Sequence, residues 1–225
     1  MKLLALESST EACSVALWLD GEVRERFEIA PRRHAQLLLP WAEALLAEGG
    51  VALRELDGIA FGRGPGSFTG VRIVTGVVQG IAFGAELPVV PVSTLAALAL
   101  GGVEGGARRV AAAIDARMDE IYWGCYEAAE GGSLAPWVEE RVVSASDAPI
   151  PADGEWLGVG SGWSAYGETL AARFEGRLGA SDGERYPRAR HVAALAVDEF
   201  ALGRAVAAEA ALPVYLRDRV AWRKS

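Results

Sequence analysis

The stretch Gly62–Gly84, GRGPGSFTGVRIVTGVVQGIAFG, decides how the rest of the chain is read. It opens as a loop with three alternate glycines, Gly62, Gly64 and Gly66, and Pro65 among them. Glycine permits the positive-φ turns such a loop needs. A helix follows, with Ser67 or Thr69 placed to cap its free N–H groups. At about 100° per residue, Val71, Val74, Val78 and Ile81 form one bulky stripe. Gly76, Gly80 and Gly84, with Ile73 and Val77, form a second stripe on the opposite side, and Arg72, Thr75 and Gln79 fill a narrow polar wedge. A helix apolar on two faces is expected to be packed on both. Each interior glycine costs roughly 0.5–1 kcal/mol against alanine, so the line of three implies close backbone approach by another helix, from this chain or from another. A membrane span is not expected, because Arg72 and Gln79 interrupt an apolar run of about 15 residues where a bilayer needs ~20.

Around this stretch, strands alternate with helices. Leu3–Leu6 ends at Glu7, Cys13–Leu19 follows, Asp20-Gly21 is a two-residue hairpin signal, and Val23–Ile29 alternates as a third strand. Residues 34–48 read as a helix with Leu38, Trp41, Leu45 and Leu46 on one side and Pro40 as a kink. Leu56–Phe61 and Pro88–Val92 are strands, and Thr94–Leu100 is a short helix. From Arg108 the pattern restarts: Val110–Ile114 ends at Asp115 and Ile121–Tyr126 follows. Setting Glu7 against Asp115, an offset of 108 residues, superposes two strand–acid–strand units, either an internal duplication or two similar generic hairpins. Residues 131–151 read as loop-rich, 156–159 as a strand, 165–174 as a helix, 177–190 as irregular and 192–209 as helical. This is an α/β layer with a mixed sheet.

The totals bound the function. The 225 residues suffice for two packed lobes, and 51% apolar content gives them a core. A net charge of −8 argues against a broad nucleic-acid footprint. The tail is locally basic: Arg217, Arg219, Arg223 and Lys224 either meet phosphate groups or an acidic partner, or form a solvated end. Cys13 and Cys125 sit in strand-like runs, as small buried hydrophobes of a reducing compartment, and no secretory leader pattern opens the sequence, so a cytoplasmic protein is expected.

The residues themselves assemble no catalytic set. The glycine loop lacks the Gly-Lys-Ser/Thr ending of a P-loop. His34 opens a helix where a metal pair would need a second ligand four residues on, and that position is Leu38, so a capping or structural histidine is expected. Ser67 does not lie in a nucleophile elbow. Glu7 and Asp115, closing strands, are candidate Mg²⁺ or phosphate-cleft acids, or solvated turn residues.

Four segments, LLALESST at residue 3, HAQLLLP at 34, GRGPGSFTGVRIVTG at 62 and DARMDEIYW at 115, together closely resemble the TsaB (YeaZ) family. The resemblance implies an α/β, actin/Hsp70-like (ASKHA) fold of two ribonuclease-H-like lobes with mixed sheets, here over residues 1–105 and 106–225. It also implies a non-catalytic subunit, glycoprotease-like in origin. Such a subunit binds and activates TsaD, alongside TsaE, for threonylcarbamoylation of adenosine 37 in tRNAs reading codons that start with A. ATP and metal are expected on the partner subunits and tRNA contact only through the complex. The family's docking and self-dimerisation helices match residues 34–48 and 68–84, which implies an interface of His34, Leu38, Trp41, Leu45, Gly70, Ile73, Gly76, Val77 and Gly80. Glu7 and Asp115 would then line a residual cleft. The alternative is an independent ATP-using or peptidase-like enzyme of the same superfamily.

Overall fold

A computed structural model describes residues 1–129 and 133–217. Strands β1 (Lys2–Glu7), β2 (Ala12–Leu19), β3 (Glu22–Ile29), β4 (Gly58–Gly62) and β5 (Val89–Val92) form one sheet in the order β3-β2-β1-β4-β5. Strands β6 (Arg109–Arg117), β7 (Glu120–Ala128), β8 (Leu134–Ser144), β9 (Trp156–Val159) and β10 (Leu178–Asp182) form a second, in the order β10-β9-β6-β7-β8. Read from the same side, the two orders are one topology. In each, the first strand pairs antiparallel with the second and parallel with the fourth, with Leu3 opposite Gly58 in one sheet and Val110 opposite Leu157 in the other. The offset between Glu7 and Asp115 therefore marks a duplicated unit, and two mixed sheets stand where the notion of a mixed α/β layer put them.

Helices cover both faces of each sheet. On the first, α1 (His34–Gly49) and α2 (Phe68–Ala85) bury Leu38, Leu45, Val74 and Val78 against Leu4, Leu6 and Phe61. On the second, α4 (Ser161–Arg173) packs Trp163 and Leu170 against Trp123 and Trp156. The remaining two helices are exchanged. α3 (Thr94–Glu104), which ends the first half, packs Leu95 and Leu98 on Val110, Ala112 and Val159 of the second sheet. α5 (Ala189–Ala201), which ends the second half, packs Val192, Ala193 and Ala196 on Leu3, Ala5 and Val90 of the first. A division at residue 105 thus follows the sheets but not the helices: the last helix of each half belongs to the other half's core.

Several local expectations change. β8 occupies a span read as loop-rich, and β10 a span read as irregular. Both are edge strands with one partner, so neither needs the apolar run that marks a strand buried on both faces. The helix expected over 192–209 ends at Ala201, where Gly203 at φ +70° turns the chain. α1 continues through Pro40 without a break, the ring on an exposed side where water can satisfy the carbonyl it strands. Thr75 leaves the polar wedge of α2: it is buried, and its hydroxyl donates to the Val71 carbonyl at 2.8 Å.

The glycines of the opening stretch divide into two kinds. A Cβ on Gly66 would stand 2.3 Å from the Ser9 carbonyl oxygen, and one on Gly70 would stand 2.0 Å from that of Ser8. On Gly76, Gly80 and Gly84 it would meet nothing within 4 Å. Gly70→Ala is therefore expected to destabilise the chain by about 1–3 kcal/mol, as overpacking does. Gly76→Ala is expected to stabilise it by about 0.5–1 kcal/mol through helix propensity. Urea unfolding of the two variants beside the parent measures both signs.

Candidate functional site: a sealed cleft and an open helix face

Between the lobes, where β1 and β6 end, the two acids do different things. Glu7 has no exposure. Its carboxylate accepts from the Ser9 N–H at 2.5 Å and from the Thr94 hydroxyl at 3.1 Å, and a Cβ on Gly62 would overlap it at 1.7 Å. Burial pushes its pKa up, against the hydrogen bonds from Ser9, Thr94 and Ser8 that pull it down. It is a core carboxyl that ties β1 to α3 and the glycine loop, and it does not line a cleft as expected of it. Asp115 is partly exposed, but it accepts from the Arg117 N–H at 2.8 Å and pairs with the Arg117 guanidinium at 2.9 Å. Arg117 also reaches Glu11 of the first lobe at 3.5 Å. A cation thus sits between the carboxylates that face one another across the cleft, where a metal would need two of them free. Among the described residues, no three His, Cys, Asp or Glu side chains gather where one ion could be held. His34 is buried at the start of α1, and its Nε2 has no hydrogen-bond partner among the described residues. Both thiols are buried, Cys13 pushed up to about 12 and Cys125 higher, so neither is an activated nucleophile.

The outer face of α2 is the opposite case. Ser67 caps the helix by accepting from the Gly70 N–H at 3.4 Å. Val71, Val74 and Val78 point inward, while Gly76, Gly80 and Gly84 lie in the open with Ile73 and Val77 half-buried beside them. Phe83, 76% exposed, stands seven residues from Gly76 on the same line. At the N-terminal end the Arg72 guanidinium lies 3.8 Å over the Phe68 ring and donates from Nε to the Tyr215 hydroxyl at 2.9 Å. The Phe68 and Tyr215 rings, 57% and 45% exposed, are 5.7 Å apart. The Gln79 amide donates to the Ala211 carbonyl at 3.0 Å, so the segment after α5 is laid along α2. This 18-residue helix is long and apolar enough to cross a membrane by length and composition, yet its valine stripe is part of the first lobe's core.

Of the residues expected at an interface, Gly76 and Gly80 are exposed, and Ile73, Val77 and Trp41 are half-buried. His34, Leu38, Leu45 and Gly70 are inside the chain's own core and present no surface to a partner, because the same i, i+4 and i+7 spacing serves the inner face. Arg217 is not free for tRNA phosphate: its guanidinium pairs with Glu120 and donates to the Arg117 carbonyl at 3.3 Å. Arg219, Arg223 and Lys224 lie outside the described residues. Phe83 is legible as a bulky residue on the glycine line and Phe68 as one outside both stripes. Tyr215, far away in sequence, carried no such signal.

A duplicated pair of five-stranded mixed sheets, with exchanged last helices and a cleft at the strand ends, defines the class: a two-lobed, actin-like α/β protein. The family model described as "TsaD: tRNA N6-adenosine threonylcarbamoyltransferase" matches residues 27–225. The Escherichia coli tRNA threonylcarbamoyladenosine biosynthesis protein TsaB is 46% identical over 229 residues, covering 100% of this chain and 98% of its own length. The Haemophilus influenzae protein of the same name is 41% identical, with 100% and 97% covered. The crystal structure of YeaZ from Pseudomonas aeruginosa superposes with a TM-score of 0.89 at 51% identity, over 96% of this chain and 99% of that one. The chain belongs to the TsaB (YeaZ) family.

The sealed carboxyl makes a pH prediction. Because folding raises the Glu7 pKa above its ordinary value of 4.5, the stability it contributes is complete below that value and is lost as pH rises through the folded pKa. Glu7→Gln, which cannot ionise, removes this slope. Unfolding free energies followed upward from pH 4.5 should fall for the parent relative to Glu7→Gln, and parallel profiles would contradict the buried assignment.

Proposed function

We propose that this chain is a non-catalytic subunit that docks on a TsaD-type transferase through the outer faces of α1 and α2. With TsaE it activates that enzyme to form threonylcarbamoyladenosine at position 37 of tRNAs reading codons that start with A. Alone, it pairs with a second copy through the same faces. Family membership and the names of the relatives support the pathway and the role of partner to TsaD. One observation carries the docking site: three exposed glycines on one line of α2, Gly76 and Gly80 in its interior and Gly84 in its last turn, none required by the chain's own packing. A partner backbone lying along that line would give them a reason. The surface then comprises Gly76, Gly80, Ile73, Val77 and Trp41, and it extends to Phe83 and to the Phe68–Arg72–Tyr215 cluster, since aromatic and arginine anchors dominate binding energy at interfaces.

The chemistry of the cleft supports the non-catalytic half of this reading. Glu7 is sealed, Asp115 is neutralised by Arg117, and the thiols are inert, which leaves ATP and metal to the partner subunits. It weighs against an independent ATP-using or peptidase-like enzyme. The site of action is the cytoplasm, where tRNA is modified, and tRNA is met through the assembled complex.

Two measurements test the proposal. Purified chain should turn over neither ATP nor tRNA at a meaningful rate, and adding it to TsaD and TsaE should switch on tRNA modification. Robust ATP turnover by the chain alone would overturn the assignment. Gly80→Leu, which meets open space in the monomer, should leave the thermal melt of the monomer in place. It should abolish self-association in light scattering and binding to TsaD, as overpacking by about 1–3 kcal/mol is felt in both protomers of a two-fold pair. A variant that still associates would remove the glycine line from the interface.

A further inference from the structure

A cavity of about 710 Å³ opens between the lobes, and neither Glu7 nor Asp115 lines it. Its walls come from both halves of the chain: Arg63 and Ser93 from the ends of β4 and β5, Tyr126 and Glu139 from β7 and β8, Asp198 from α5, and Val214 from the segment beyond. That size lies within the range of small-molecule sites, about 300–1,000 Å³. Half of its charged side chains are already matched. The Glu140 carboxylate accepts from the hydroxyls of Ser93 and Tyr126, the latter at 2.7 Å, and Arg204 pairs with Glu199 at 2.8 Å.

Arg63 is left over. Its backbone is fixed, the N–H donating to Val92 and the carbonyl accepting from Val214, both at 2.8 Å. Yet its guanidinium makes no hydrogen bond or ion pair among the described residues, and its Nε is buried without a partner. A buried donor left unmade costs about 1–3 kcal/mol, and such a group asks for an acceptor. At the exposed rim, Glu139 and Asp198 also lack an ion pair among the described residues. The cavity therefore presents a cation in its wall and two carboxylates at its mouth.

We propose that this cavity binds a small zwitterion, with its anionic oxygens on the Arg63 guanidinium and its ammonium group facing Glu139 and Asp198. The planar fork of arginine matches a carboxylate in a way a lysine would not. The proposal does not rest on the docking face of α2, although the segment that sets Tyr215 on Phe68 and Arg72 also lines the cavity through Val214 and Leu216. Because both lobes supply its walls, an occupant contacts them together.

The test is an amide NMR titration of the full chain with γ-aminobutyrate as probe, and with butyrate and butylammonium as single-charge controls. Saturable shifts are expected at Val92, Ser93 and Ala96, with butyrate weaker and butylammonium weaker still. Arg63→Met should raise the dissociation constant at least tenfold, and Arg63→Lys, which keeps a charge and the packing of the stem, should fall between. Should Arg63→Met fail to fold, the double variant Glu139→Gln/Asp198→Asn leaves the interior untouched. It should weaken γ-aminobutyrate while leaving butyrate unchanged. Absence of saturation up to about 50 mM probe, or equal binding by the parent and the variants, overturns the proposal.

Discussion

The contact between the Ser8-Ser9 backbone and the glycine loop is the constraint on which the rest of the structure depends. The Ser67 N–H donates to the Ser9 carbonyl at 2.7 Å, and the Ser8 hydroxyl donates to the Gly70 carbonyl at 2.9 Å. Thr94 joins them, its N–H donating to the Gly64 carbonyl at 3.0 Å and its hydroxyl to Glu7. The end of β1, the start of α2 and the start of α3 are thereby fixed to one another through backbone groups and the two hydroxyls. Gly66 and Gly70 are glycine because the approach leaves no volume for a methyl group. Glu7 is tolerated in a dry interior because each of its oxygens has a donor. Once α3 leaves this junction, its direction carries it onto the second sheet, so the same contact sets how the lobes meet.

The exchange of last helices follows from composition as much as from topology. α3 is alanine-, leucine- and glycine-rich and is buried on nearly every side, Ala97 toward the first sheet and Leu95 and Leu98 toward the second. α5 has the same small residues, and its entry is held by polar contacts: the Ala189 N–H donates to the Ser14 hydroxyl at 3.0 Å, and Arg188 pairs with Glu25 at 2.7 Å. Where the two helices meet, a Cβ on Gly101 would stand 2.7 Å from the His191 ring. Helices packed this closely give the two lobes a shared interface. At the ends of β1 and β6 the gap between them is bridged by Arg117, which joins Glu11 to Asp115.

How much of this was legible in the sequence depends on whether a residue's role is local. Strand–turn–strand units, the Ser67 cap and the two faces of α2 rest on spacing within a few residues, and the structure has them where spacing put them. The duplication was visible as Glu7 against Asp115 because in both halves the second strand begins five residues after the acid, at Ala12 and at Glu120. Edge strands β8 and β10 were not visible, since a strand with one partner tolerates Pro136 and solvated side chains. The exchange of α3 and α5 was also hidden: an alanine-rich helix shows that it is buried, never against which sheet. For the same reason the stripe containing Leu38 and Leu45 could be read as an outward face. Periodicity gives the angle between residues on a helix, but only the fold says which angle points to water.

The proposed docking face of α2 is made of what the chain's own packing does not use. Within one helix, Gly70 is excluded from change by the Ser8 carbonyl, while Gly76, Gly80 and Gly84 have nothing above them. Three unfavourable residues in an exposed position amount to roughly 1.5–3 kcal/mol, a large share of the margin by which a domain is stable. The neighbouring groups are placed with the same disregard for the isolated chain: Phe83 and Phe68 face water, and Arg72 is held in position by Tyr215 with its charge directed outward. Preorganisation of this kind lowers the ordering entropy that association would otherwise have to supply. A flat line without side chains, edged by fixed aromatic rings, admits a helix backbone and offers little to a small molecule. The ends of β1 and β6 are instead bridged by the chain's own ion pairs, Arg117 between Glu11 and Asp115, and the space that stays open between the lobes is the cavity beside Arg63.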